Sequence, residues 1–317
     1  MRLSRLWIPA VAACVVAVVA GLYIAVPRRG GDGMLGAIVA AEPPPAPAAA
    51  GDAAAPRAAA AEPPAQLQPP RAIDAEWERR AVPATLVPDR ALVAIVIDDI
   101  GVDRARALRA IGLPAPLTLS FLPYGRDAPA LAVIARQRGH EILLHMPMQA
   151  AGGENPGPQA LTVDLAAVEI RARVGAALDR FGDAVGLNNH MGSRFTADRR
   201  LLGPVVEELS ARGLIFVDSR TTPASQVPQA AEEFGIPTAV RDVFLDNDPT
   251  PEAVRAQFEE LERVARRRRQ AIAIGHPHDA TLSALATWLP LAAERGIQVV
   301  PVTTLVRRGL ERAPQRP

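Results

Sequence analysis

The sequence contains no lysine: all 35 of its cationic side chains are arginine. Schiff-base chemistry and a P-loop lysine both need a primary amine, so both are excluded. There is a single cysteine, Cys14, inside an apolar N-terminal run, which leaves no disulfide and no thiol nucleophile for the rest of the chain. Net charge is nearly absent as well, +1 from 35 basic and 34 acidic residues, and that balance calls for no nucleic acid. No Gly-x-Ser-x-Gly elbow occurs, which sets serine-hydrolase chemistry aside. Polar chemistry is left to Asp, Glu, His, Ser or a metal.

Proline and glycine, by contrast, are plentiful, at 31 and 23 residues, and the excess is local. Residues 6–26 are 21 consecutive positions without a charge, bracketed by Arg2 and Arg5 before and by Arg28 and Arg29 after. About 20 apolar residues span a bilayer core, whereas a signal-peptide core takes about 7–15. The nearest small-residue cleavage signal, around Val39-Ala40-Ala41, is well past the run. Residues 1–29 are therefore expected to form a transmembrane helix, with a cleaved signal sequence and a secreted product as the alternative. Between residues 43 and 70, 21 of 28 positions are Ala or Pro, so residues 30–71 are expected to be a disordered, extended linker. Gly31-Asp32-Gly33-Met34-Leu35-Gly36 matches a dinucleotide fingerprint, but no strand precedes it and no βαβ unit surrounds it, so the match is rejected.

Residues 72–312 remain as the globular part, followed by a short tail, 313–317. About 240 residues suit one (β/α) barrel better than two small domains. Short β-branched runs at 92–97, 117–122, 141–146, 185–189, 214–217, 240–245, 271–275 and 297–302 alternate with amphipathic segments at 103–111, 128–138, 165–181, 198–211, 251–268 and 283–295. That alternation is the pattern of βα units around a parallel sheet. The expected fold is α/β, a distorted or incomplete (β/α) barrel of seven to eight units, with a doubly wound open sheet as the alternative.

Barrel active sites are built at the C-terminal ends of the strands, and here those ends are polar. They carry Asp98-Asp99, His145, Asn188-Asn189-His190, Asp218-Ser219-Arg220, Asp246-Asn247-Asp248 and His276-Pro277-His278. Four of the five histidines sit at such positions. Imidazole and carboxylate converging from separate strands suit zinc or another borderline divalent ion with an open position for water. The ion would acidify that water and polarise a carbonyl, with a neighbouring carboxylate and a second imidazole as general base and acid. His140 and His145 are five apart with an apolar run between them, which reads as a strand and not as a metalloprotease helix. His140 precedes that strand and reads as a packing or hydrogen-bonding residue.

Four segments together resemble the divergent polysaccharide deacetylase family, a branch of the NodB-type carbohydrate esterases. They are Val96-Ile97-Asp98-Asp99-Ile100-Gly101, Gly139-His140-Glu141-Ile142-Leu143-Leu144-His145-Met146-Pro147-Met148, Gly186-Leu187-Asn188-Asn189-His190-Met191-Gly192-Ser193 and Phe216-Val217-Asp218-Ser219. His276-Pro277-His278 fits the last histidine motif more loosely. The resemblance implies a distorted barrel and metal-dependent N-deacetylation of a polysaccharide. It assigns Asp98 as base and Asp99 and His145 as metal ligands; of His276 and His278, two apart and able to share one face, His276 is read as the partner catalytic residue. The family's second metal histidine lies four residues after the first, where this chain has Gln149; His190 is the candidate replacement because it too ends an apolar strand. Asn189, Asp218, Asp246 and His278 are read as supporting or substrate-binding residues, with simple satisfaction of loop amides as the alternative for the two aspartates. Asp98 and Asp99 pose a geometric difficulty, since adjacent strand residues face opposite sides and only a turn aims both inward.

Two other features are read as structural. Arg266–Arg269 closes a helix, where cations complement the dipole, and the acidic stretch 242–248 lacks the spacing of a calcium loop. Two function classes follow. One is a metal-dependent deacetylase, zinc foremost, acting on an acetylated envelope glycan such as peptidoglycan, anchored in the cytoplasmic membrane with the barrel on the periplasmic or extracytoplasmic side. The other is a degenerate envelope protein that uses the barrel to bind glycan or a protein partner. Retention of Asp98 beside the metal aspartate favours the first.

Overall fold

The computed structural model describes residues 75–312. The expected anchor, linker and 313–317 tail lie outside the described residues. Among the described residues no helix is long and apolar enough to cross a membrane.

The chain alternates strands and helices: α1 (Glu76–Arg80), β1 (Ala91–Ile100), α2 (Arg104–Ile111), β2 (Thr118–Phe121), α3 (Ala128–Gln137), β3 (Glu141–Met148), α4 (Ala167–Leu178), β4 (Ala184–Met191), α5 (Arg199–Arg212), β5 (Ile215–Asp218) and α6 (Val227–Glu233). It continues through β6 (Thr238–Val240), β7 (Val243–Phe244), α7 (Pro251–Arg268), β8 (Gln270–Gly275), α8 (Asp279–Trp288), β9 (Ile297–Val299) and α9 (Val302–Arg312). Every strand pair is parallel, in the order β6-β5-β4-β3-β2-β1-β8-β7. Strands β1 to β6 are laid down consecutively in one direction, so the order never reverses, as a doubly wound sheet requires. The distorted barrel is the correct reading.

The expected strand 240–245 is broken in two, and the break explains how the sheet curls. The Arg241 N–H donates to the Asp218 carbonyl beyond β5, and the Asp242 N–H donates to the Ile272 carbonyl of β8. One extended segment thus pairs first with one end of the strand path and then with the other. The expected strand 297–302 stops at Val299 and turns into α9, a helix that the sequence pattern does not reveal, as it does not reveal α1 and α6. Strand β9 shares an edge of β1 with β2, pairing with Ala91–Val93 while β2 pairs further along.

Strand parity separates two apolar layers. Val93, Ile95 and Ile97 pack outward under the helices. Leu92, Ala94 and Val96 join Leu143, Val185, Ile215, Val217, Ile272 and Ile274 in the barrel interior. The floor is closed by Trp77 of α1 and by Val302, Leu305 and Val306 of α9. The first turn of α9 is anchored at buried Glu141, which accepts from the Thr303 N–H at 3.1 Å, while Thr118 Oγ1 accepts from the Val302 N–H at 3.1 Å. With the floor filled by these side chains, the cavity inside the barrel opens at the C-terminal ends of the strands.

Candidate metal centre

Continuing the interior parity of β1 and β3 brings Asp98 and His145 to the inner face at the strand ends. Two β-bulges supply the rest. In β1, Ile97 pairs with Leu119 and Ile100 with Phe121, so β1 holds one residue more than β2 across that step. The extra residue falls at the aspartate pair, and Asp99 adopts φ +56°. That left-handed residue is the turn that lets neighbouring carboxylates share one cavity. In β4, Ala184 pairs with Ile142 and Leu187 with Leu144, again one residue extra. Val185 points inward and Leu187 outward, so Asn188 and His190 face the interior after the bulge. Gly186 sits in the bulge because a Cβ there would lie 2.1 Å from the Ile215 carbonyl oxygen.

The three donor atoms then converge. Asp99 Oδ1 lies 3.2 Å from His145 Nε2 and 2.9 Å from His190 Nδ1, and the two ring nitrogens are 3.1 Å apart. Asn188 fixes the protonation of His145. Its Nδ2 donates to Asp98 Oδ1 at 2.7 Å and to Ser219 Oγ at 3.1 Å, so its Oδ1 must accept, taking Ser120 Oγ at 2.5 Å and His145 Nδ1 at 2.8 Å. The proton of neutral His145 is thereby placed on Nδ1 and its Nε2 lone pair is turned to Asp99.

Asp99 Oδ1 is buried and receives no well-aligned hydrogen bond, despite its two close nitrogens. A buried oxygen facing two imidazole nitrogens from separate strands is an O,N,N donor set that a cation would satisfy. The titration behaviour agrees in sign. Burial opposes ionisation of Asp99, but His145 and His190 hold its carboxyl well below the usual carboxylate range. Burial likewise disfavours charge on His145, yet Asp98 and Asp99 reverse that and raise its pKa. The negative potential that retains a proton there would retain a cation.

Asp246, His276 and His278 form a second potential ligand group, but its carboxylate is already committed. Asp246 Oδ1 lies 2.9 Å from His276 Nδ1, and Oδ2 accepts from the His276 N–H and Thr281 Oγ1, each at 2.6 Å. Asp246 therefore orients His276, whose Nε2 reaches within 4.0 Å of Asp99 Oδ2. Although burial disfavours its charge, the Asp246 bond and the carboxylates of Asp98 and Asp99 push the His276 pKa up to about 9. Burial dominates at Asp98 and raises its pKa against the pull of His145 and His276.

Asp98, Asp99, His145, His190, Asp246 and His276 line a cavity of about 480 Å³ together with Asn189, Met191, Ser219, Arg220, Thr221, Arg241, Phe244 and His278. Asp218 does not reach it; its oxygens take the Arg220 N–H and Ser225 Oγ, each at 2.8 Å, so it shapes the following loop. Asn189 likewise ties loops together, donating to the Met191 carbonyl and accepting from the Ser219 N–H. Gln149 is turned away, its Oε1 accepting from the Val163 N–H at 2.9 Å. His140 is buried between the Leu117 N–H and the Ile111 carbonyl. The sequence alone places Asn188 only among the polar strand ends, with no role of its own, and passes over Arg241. The repeated polar ending of β4 is the available signal for Asn188; Arg241 carries none, because it lies in the break between β6 and β7.

Residues 95–306 match the profile of the divergent polysaccharide deacetylases. An uncharacterized protein of Haemophilus influenzae is 34% identical over 215 residues, 68% of this chain and 76% of that protein. Uncharacterized protein YibQ of Escherichia coli is 34% identical over 193 residues, which span 61% of this chain and 60% of that one. The crystal structure of uncharacterized protein ATU2773 from Agrobacterium tumefaciens matches at a TM-score of 0.70 and 32% identity, covering 72% of this chain and 94% of that chain. The matched span begins in β1 and ends in α9, so it takes in the barrel and all the cavity residues named above. On that extent of agreement, the chain belongs to the divergent polysaccharide deacetylase family.

Proposed function

We propose that this protein is a metal-dependent N-deacetylase of an acetylated envelope glycan. The observation that carries the reading is the buried Asp99 Oδ1, which receives no well-aligned hydrogen bond and faces His145 Nε2 and His190 Nδ1, with Asp98 and His276 beside it. Asp99, His145 and His190 would hold the ion, and the mixed oxygen and nitrogen set suits zinc. A divalent ion there supplies Lewis acidity and lowers the pKa of a water molecule.

The chain's own groups account for the proton movements. Asp98, fixed by Asn188, accepts the proton of the attacking water; burial makes it a stronger base than an exposed carboxylate. His276, oriented through Nδ1 by Asp246, is protonated at neutral pH and gives the proton from Nε2 to the departing amine. Water adds to the acetyl carbonyl, the C–N bond breaks, and acetate and a free amino sugar result. Such a substrate belongs outside the cytoplasmic membrane, and the uncharged run at 6–26 serves in this reading as the single anchor.

The test is acetate release from N-acetylglucosamine oligomers and from peptidoglycan fragments by the full chain supplied with zinc, cobalt or manganese. Release that stops on chelation and returns with metal supports the reading. Glycan binding without release under any of the three metals replaces it with the binding-protein reading.

A further inference from the structure

Two arginines on the cavity wall have no role in the proton movements above. Arg220 follows β5 with φ +49°, a conformation uncommon for a residue with a side chain. Its backbone is held on both sides: the N–H donates to Asp218 Oδ1 at 2.8 Å and the carbonyl accepts from Arg241 Nη2 at 2.9 Å. Its side chain, by contrast, lines the cavity and, among the described residues, has no hydrogen-bond or ion-pair partner. The loop is thus fixed so that the guanidinium alone is left to solvent.

Arg241 is fixed from the other side. Its Nε donates to the Ser219 carbonyl at 2.7 Å, and its guanidinium carbon lies 4.7 Å from the centre of the Phe244 ring. It too forms no ion pair among the described residues, although Asp98, Asp218 and Asp242 are near enough to act on its charge. Both N–H groups with assigned partners go to backbone carbonyls. The rest of the guanidinium edge lacks a protein acceptor, and Arg220 adds a second positive charge nearby. Like charges are held together here at a cost that an anion between them would relieve.

We infer that Arg220 and Arg241 form an oxyanion subsite, and that the substrate is an acidic glycan carrying a carboxylate or phosphate group within one sugar of the acetamido group. The inference rests on the deacetylase reading for the acetamido group and names its neighbour. Planar guanidinium edges pair with carboxylate and phosphate oxygens through two parallel hydrogen bonds. Arg220 is a specificity residue in this scheme and takes no part in proton transfer.

The experiment measures binding by calorimetry, so it needs no turnover. Three N-acetylated disaccharides of equal length are compared on the full chain: neutral, carboxylate-bearing and phosphate-bearing. The wild type should bind at least one charged form about tenfold or more tightly than the neutral one, the worth of one charge-assisted bond, and the tighter of the two identifies the anion. The preference should shrink at high salt. Arg220→Gln changes an exposed side chain and keeps every backbone bond of the loop, so it should fold as wild type and lose most of the preference, whereas Arg220→Lys should keep part of it. Equal affinity for neutral and charged disaccharides, failure of all three to bind, or an undiminished preference in Arg220→Gln overturns the subsite. A charge preference without acetate release would leave the subsite standing and remove the deacetylase reading; acetate release without the preference would do the reverse.

Discussion

His190 Nδ1 lies 3.1 Å from His145 Nε2, and it does so because β4 carries one residue more than β3 between Ala184 and Leu187. Continued without the bulge, the alternation set by Val185 would send Leu187 and Asn189 inward, with Asn188 and His190 toward the helices. The amide that orients His145 and the imidazole that completes the donor set would leave the cavity together. A local kink in the backbone therefore determines whether the centre exists.

Gly186→Ala should test that dependence. The new Cβ would stand 2.1 Å from the Ile215 carbonyl oxygen, and a backbone acceptor cannot rotate away as a side chain can. We expect a loss of about 1–3 kcal/mol in unfolding free energy, read from denaturant midpoints, and lower metal content in the protein that still folds. A variant with wild-type stability and wild-type metal content would separate the bulge from the centre.

Ligand removal makes a sharper comparison. His190→Ala and His145→Ala should each lose bound zinc, measured on the purified full chain after dialysis. Gln149→Ala should retain it, since Gln149 is bonded to Val163 and lies outside the cavity lining. Metal content in His190→Ala equal to wild type would remove His190 from the donor set.

The contrast between Gln149 and His190 shows how far the sequence is readable. Six polar strand ends locate the cavity, because alternation of apolar runs marks each strand and the residue after it. Nothing in the same alternation reveals an inserted residue, so the inward turn of Asp99 and the reversal at Gly186 appear only in three dimensions. The run 297–302 reads as a strand because four of its six residues, Ile297, Val299, Val300 and Val302, are apolar and β-branched. The strand stops at Val299, and the last residue of the run, Val302, opens α9, whose burial against the barrel floor outweighs the low helix propensity of Val302, Thr303 and Thr304. Arg241 is invisible for a related reason: it stands in the two-residue gap where one expected strand changes partners.

The floor contact predicts a pH dependence away from the centre. Glu141 is fully buried, and burial raises its pKa above the ordinary 4.5 despite its bonds to Thr303 and Val82. The folded state therefore holds a proton on this group at pH values where the unfolded chain has released it. The resulting stabilisation is complete below about pH 4.5 and is lost as pH rises through the folded value. Glu141→Gln should flatten that part of the stability–pH curve. It should also cost about 1–3 kcal/mol, because its amide cannot accept from the Thr303 and Val82 N–H groups with two oxygens. Denaturant titrations between about pH 4 and 8 would show an unchanged slope if Glu141 is not the group responsible.

The proposed anchor makes its own prediction. Full-length protein should remain with membranes after a high-salt wash and enter solution with detergent, since an uncharged run of 21 residues is held by apolar burial and not by charge. Recovery of a mature protein cleaved near Ala41 would replace the anchor with a secretion signal.

Asp98 separates catalysis from binding at one residue. It neighbours Asp99 in the chain and shares His145 Nε2 with it, at 3.6 Å against 3.2 Å, but it alone accepts from Asn188 Nδ2, at 2.7 Å, and it makes no contact with His190 among its bonds. Losing a ligand should empty the centre, whereas losing a base should leave the ion in place and stop proton transfer. Asp98→Asn preserves the size of the side chain and removes its basicity. Asn188 Nδ2 still needs an acceptor at this position, and the carbonyl oxygen of the substituted amide can occupy that place. The variant should therefore be folded and metal-replete, with acetate release reduced by about 10²–10⁴-fold, the usual worth of general acid–base assistance. Metal loss in Asp98→Asn equal to that in an Asp99→Asn variant would make Asp98 a ligand. If wild type releases no acetate from N-acetylglucosamine or peptidoglycan fragments and Asp98→Asn binds those fragments as tightly as wild type, the carboxylate has no chemical task and the barrel is a glycan-binding surface.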